Sequence, residues 1–81
     1  MPTVLRHNAY RFYFYSHEPN EPPHVHIDSG GATLKAWLEP VGLAKASGFR
    51  PPEINAILAL VSEHRSVLLE AWREYFGQGH G

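Results

Sequence analysis

The chain has no cysteine and a single methionine among its 81 residues. A disulfide scaffold and a thiolate metal site are thereby excluded, and the composition fits a reducing compartment. It also lacks any apolar run of the roughly 20 residues that a transmembrane helix needs. The opening MPTVLRHNAY holds no apolar stretch of the kind a signal peptide requires, so the expected location is the cytoplasm, with no membrane association. An excess of one charge is missing too: seven lysines and arginines stand against eight acids, for a net charge of −1 with the six histidines neutral. This is not the pattern of a general polyanion binder, because long duplex contacts need many phosphate-neutralising cations.

The charges that are present divide unevenly. Residues 1–50 carry Arg6, Arg11, Lys35, Lys45 and Arg50 against Glu18, Glu21, Asp28 and Glu39, together with four histidines. Residues 51–81 carry Arg65 and Arg73 against four glutamates. A local anion site in the first half is compatible with this split. With 43% hydrophobic and 12% aromatic residues the chain reads as one folded domain over 1–81. A chain of this size buries about 60% of its unfolded surface, enough for one small core of marginal stability.

Aromatic alternation in YRFYFY (10–15) predicts a strand. SHEPNEPP (16–23) reads as a loop, HVHID (24–28) as a second strand, and SGG (29–31) as a tight turn whose glycines permit positive φ. TLKAWLE (33–39) is a third strand, ended by Pro40, and VGLAK (41–45) is a short fourth strand or a connection. The period then changes. Ile54, Ile57, Leu58, Val61, Leu68, Trp72 and Tyr75 recur at helical spacing, with Pro52 suited to the first helical position and Glu53 to the positive end of the dipole. One helix is expected from residue 53 to 76, with 77–81 as a frayed tail. The fold class is α+β in two layers: an antiparallel meander of three or four strands followed by one long C-terminal helix packed on one face.

Strand parity divides the side chains. Phe12, Phe14, Val25, Ile27, Leu34, Ala36 and Leu38 face the helix. Arg11, Tyr13, Tyr15, His24, His26, Asp28, Lys35, Trp37 and Glu39 face the other way, provided that no bulge shifts a strand. Chemistry therefore concentrates on an uncovered sheet face.

Three readings compete for that face. His-x-His on a strand sets two imidazoles on one side, about 6.5–7 Å apart at Cα, which suits zinc or another divalent metal with Asp28 or His17 as a third ligand. A metal-free reading has histidine as acid–base group on RNA, Arg11 or Lys35 against phosphate charge, and Tyr13, Tyr15 and Trp37 stacking bases. A purely structural reading has the aromatic face closed by a partner protein, as a homodimer or a heterodimer. His64, beside the helix stripe, is most simply a packed core residue, and Trp72 a core anchor.

The stretch MPTVLRHNAYRFYFYSHEPNEPPHVHIDSGG resembles the small bacterial family named domain of unknown function 4160. The residues that carry the likeness are Met1, Pro2 and Thr3; Tyr13, Phe14 and Tyr15; Asn20, Pro22, Pro23, His24 and His26; and, in the helix, His64, Arg65 and Trp72. The resemblance implies a compact cytosolic protein encoded beside a second small protein, domain of unknown function 2442, in what resembles a toxin–antitoxin module. It also groups His24, His26, His64 and Arg65 as a candidate catalytic set; the substrate-binding residues, Arg11, Tyr13, Tyr15, Lys35 and Trp37, are those of the metal-free reading of the face. The expectation is a toxin-like component acting on RNA, with a small metal-independent ribonuclease-like activity if it is an enzyme and no cofactor. If a metal is present, His24, His26 and Asp28 are its ligands. The alternative is a non-enzymatic module that binds a partner protein through the open face. Two further expectations are that both strand histidines serve function only, and that replacing both with glutamine leaves stability within about 1 kcal/mol.

Overall fold

The computed structural model describes residues 3–15 and 21–76. Five strands form one antiparallel meander in the order β1-β2-β3-β4-β5: β1 Thr3–His7, β2 Tyr10–Tyr13, β3 His24–Ser29, β4 Ala32–Leu38 and β5 Val41–Ser47. Two helices follow, α1 Pro51–Glu63 and α2 Arg65–Phe76. α1 packs on β4 and β5, and α2 on β4. The architecture is the expected α+β one, with two differences.

The first difference is strand number. β1 is additional, and VGLAK belongs to a full strand that continues to Ser47. The β1–β2 connection is short because Asn8 adopts a φ of 56°, a left-handed conformation that asparagine tolerates better than most residues. The β3–β4 turn is the expected one: Gly30 and Gly31 both have positive φ, and Ser29 pairs with Ala32 across them. Residues 16–20 and 77–81, with the expected loop core and frayed tail, lie outside the described residues.

The second difference is the helix. His64, with φ −101° and ψ 15°, leaves helical geometry and divides the expected single rod in two. The hydrogen-bond spacing nevertheless runs through it: His64 N–H donates to the Leu60 carbonyl, and Leu68 N–H to the His64 carbonyl. No glycine or proline marks the break. Side-chain anchoring accompanies it instead, with His64 turned toward His7 of β1 and Arg65 toward the end of β4. α1 begins one residue before the expected Pro52, at Pro51. The Arg50 N–H donates to the Glu53 carboxylate at 2.8 Å, which satisfies one of the donors a helix start leaves unpaired.

The core is the one that parity assigns. Phe12, Phe14, Val25, Ile27, Leu34, Ala36 and Leu38 are all buried, against Ile57, Val61, Leu68, Leu69 and Trp72 from the helices. Phe14 meets Trp72 edge-on, with ring centroids 5.4 Å apart.

Candidate functional site

Residues directly opposite in neighbouring strands share a face, so the register lays out the open face in rows. One row runs Tyr13, His26, Lys35, Lys45 across β2 to β5. A second runs Arg6, Arg11, Asp28, Thr33, Ser47. A third, at the start of β3, is His24, Trp37, Gly42. All the expected substrate-binding residues in described strands, Arg11, Tyr13, Lys35 and Trp37, therefore stand on one surface, and Tyr15 joins them through its ring contact with His26 at 4.3 Å. A pocket of about 460 Å³ opens there, lined among others by Tyr13, Tyr15, His26, Lys35, Trp37 and Lys45.

Sequence reasoning missed Lys45. In β5 the register shifts between Lys35 and Ala36: Lys35 pairs with Lys45, but Ala36 pairs with Leu43. Ala44 is the extra residue of a β-bulge. Without it Lys45 shares the parity of Leu43, whose partner Ala36 faces the helices. With it Ala44 and Lys45 both line the open pocket. Bulges re-aim side chains in this way. The small, weakly alternating VGLAKAS gave no pattern from which to read it.

Two like-charged pairs result, Arg6 opposite Arg11 and Lys35 opposite Lys45. Like charges placed directly opposite are destabilising, by about 0.2–1 kcal/mol for a pair. Four of the chain's seven lysines and arginines thus share one face of a protein of net charge −1. Lys35 pairs with Glu21 and lies 5.0 Å from the Trp37 ring centre. The Arg11 guanidinium lies 4.5 Å from the Tyr13 ring centre, and its buried Nε has no hydrogen-bond partner among the described residues.

Tyr13 is the organising ring. It is 3% exposed, stacks on His26 at 5.5 Å, and donates from its hydroxyl to Asp28 at 2.9 Å. Burial pushes its phenol well above the usual tyrosine range, and hydrogen bonds with Tyr15 and Asp28 push it further. Tyr13 is therefore a fixed neutral donor and not a base. It also occupies Asp28.

The four residues of the expected catalytic set stand in different surroundings, with only the His24 and His26 rings in mutual contact. His26 remains half-buried beside the pocket. His24 is 0% exposed: its ring lies 5.2 Å from His26, 5.8 Å from Trp37 and 4.9 Å from Trp72 of α2. Its Nδ1 is 2.9 Å from the Pro22 carbonyl, and since a carbonyl only accepts, that nitrogen carries the proton. Although its parity is that of the open face, it closes the sheet end where α2 passes, so its ring is sealed where an exposed one was expected. His64 packs beside His7, ring centroids 6.0 Å apart, with its Nε2 enclosed and unpartnered among the described residues. Arg65 donates from Nε to the Leu38 carbonyl at 2.8 Å, and the Leu38 N–H donates to the Pro23 carbonyl. Arg65 thus fastens the approach to His24 from behind the sheet. The ligand set His24, His26 and Asp28 is not brought together either: among the described residues no three histidine, aspartate or glutamate side chains are placed to hold a metal ion. His17, the other candidate ligand, lies outside them.

No helix among the described residues is long and apolar enough to cross a membrane. Neither the curated proteins nor the solved structures hold a significant match to the chain. A family match spans residues 9–73, about four fifths of the chain, including Pro22, Pro23, His24, His26, His64, Arg65 and Trp72 and leaving Met1, Pro2 and Thr3 outside. The chain belongs to the family described as domain of unknown function DUF4160.

Proposed function

We propose that this protein is the RNA-engaging, toxin-like component of a bacterial two-gene module of toxin–antitoxin type, and that it holds single-stranded RNA on the open face of its sheet. The observation that carries the reading is the pair of like-charge juxtapositions, Arg6 with Arg11 and Lys35 with Lys45, on a surface that also holds the half-buried rings of Tyr15, His26 and Trp37. Repelling cations held opposite one another gain stability from a polyanion. The two pairs lie about 16 Å apart, three strand spacings across and two residues along, with Tyr13, His26 and Asp28 between them. A strand crossing the face would meet cations at both edges and rings in the middle, the combination that single-strand binders use. A duplex would find too few cations and no unstacked base to offer.

Recognition is the core of this reading. If the strand is also cleaved, the acid–base step falls to His26, since His24 is sealed and Tyr13 keeps its proton. The test is fluorescence anisotropy with a labelled single-stranded RNA against the same RNA annealed to its complement, over a range of salt. The expected result is preference for the single strand, with a log–log salt slope of about −2 to −3 for up to four neutralised phosphates. Weakening by Trp37→Ala and by Arg6→Ala with Arg11→Ala is also expected. No binding at low salt overturns the reading. Tight seating of the neighbouring-gene protein on this face without RNA supports the protein-partner alternative instead.

A further inference from the structure

The two cation pairs are not equivalent. Arg11 is committed to the Tyr13 ring, and its row contains Asp28. Lys45 is exposed and has no hydrogen-bond or ion-pair partner among the described residues. Its opposite, Lys35, is held by Glu21, whose side chain is 43% exposed, so solvent screens the contact. Both lysines line the pocket of about 460 Å³, whose other walls include Trp37, Tyr15 and His26. That volume falls within the range of small-ligand sites. β5 is the outermost strand, so the sheet ends beside this pair.

We infer that Lys35 and Lys45 form a subsite for a terminal phosphate of the RNA, with the end nucleotide's base in the adjoining aromatic pocket. The inference rests on the single-strand reading above and adds the substrate's end chemistry. A phosphodiester inside a chain carries one negative charge. A phosphomonoester carries about −1.5 to −2 at neutral pH, so two lysines lining one pocket suit it better. The bulge at Ala44 is what brings the second lysine to that pocket. Position agrees: an end belongs where the sheet stops, and the diesters behind it run toward Arg6 and Arg11.

The experiment compares one short single-stranded RNA in three forms: 5′-phosphorylated, 3′-phosphorylated, and with hydroxyls at both ends. Anisotropy should show one phosphorylated form binding about tenfold tighter than the hydroxyl form, the scale of one charge-assisted contact. Lys45→Gln should bring that ratio close to one, and the ratio is read within each protein, so any general loss of affinity in the variant cancels. Glu21→Gln, which releases Lys35, should raise the ratio. Deleting Ala44 gives a second variant that keeps both lysines and withdraws one from the pocket; circular dichroism reports whether it stays folded. Equal binding of all three forms by the wild type, or a ratio that survives Lys45→Gln, overturns the inference and leaves the single-strand reading standing. Failure of every form to bind overturns both.

Discussion

The ring of His24 lies 4.9 Å from that of Trp72, so the first residue of β3 is sealed by the second helix. The adjacent histidine on the same strand, His26, borders an open pocket. One His-x-His motif therefore does two kinds of work, and the histidines should part company under mutation. His24→Gln should lower stability by about 1–3 kcal/mol in urea denaturation, because it disturbs a buried, hydrogen-bonded ring. His26→Gln should stay within about 1 kcal/mol. Equal losses would contradict the division.

Tyr13 gives the protein an alkaline limit. Its folded-state pKa is raised, by burial first and hydrogen bonds second. The folded protein then holds a proton that the unfolded chain releases. The contribution is intact below the ordinary tyrosine value of about 10, and is lost as pH climbs from there toward the raised folded value. Thermal melts across this range should show a falling melting temperature, with a shallower decline in Tyr13→Phe. Identical slopes for the two proteins would show that Tyr13 ionises alike in both states.

Gly48 links β5 to α1 with a φ of +90°, and a Cβ built on it would lie 3.0 Å from the Ala32 Cβ. Conformation and space both resist a side chain. Gly48→Ala should cost more than about 1 kcal/mol. Gly42→Ala is the control, because nothing lies within 4 Å of its added methyl. Its denaturation midpoint should match or exceed that of the wild type.

Arg65 should act through the backbone that it holds. Lysine keeps the charge but lacks the Nε–H that donates to the Leu38 carbonyl. Arg65→Lys should cost about 1 kcal/mol, and amide exchange should quicken at Leu38 and in the first residues of β3. Unchanged exchange at Leu38 would remove Arg65 from this role.

The helix-facing side of the sheet was legible because alternation in β2, β3 and β4 is undisturbed. Seven residues from Phe12 to Leu38 follow from parity and all are buried. Tyr13, Tyr15, His26, Lys35 and Trp37 came together for the same reason. What was not legible depends on departures from period or on distant contacts. β1 was hidden because Val4 is extra in its register, between Thr3 and Leu5, which spoils the alternation. Lys45 was hidden by the Ala44 bulge. The helix break at His64 carries no breaker residue, and its neighbours' anchors lie on β1 and β4. The sealing of His24 comes from Trp72, whose approach to the end of β3 no local pattern encodes.

Both outermost strands, β1 and β5, carry a register shift. Strands of this kind twist away from flat pairing, so they are poor templates for another strand. Lateral growth of the sheet into ribbons or fibrils is thereby discouraged at either margin. Any self-assembly is directed to the broad surface that the helices leave bare, the same surface proposed for RNA. Under the proposal, a second copy seated there would compete with a nucleic acid strand for one footprint, and by mass action each would set how much of the other is seated. The abundance of RNA would act as a rheostat on the protein's own quaternary state.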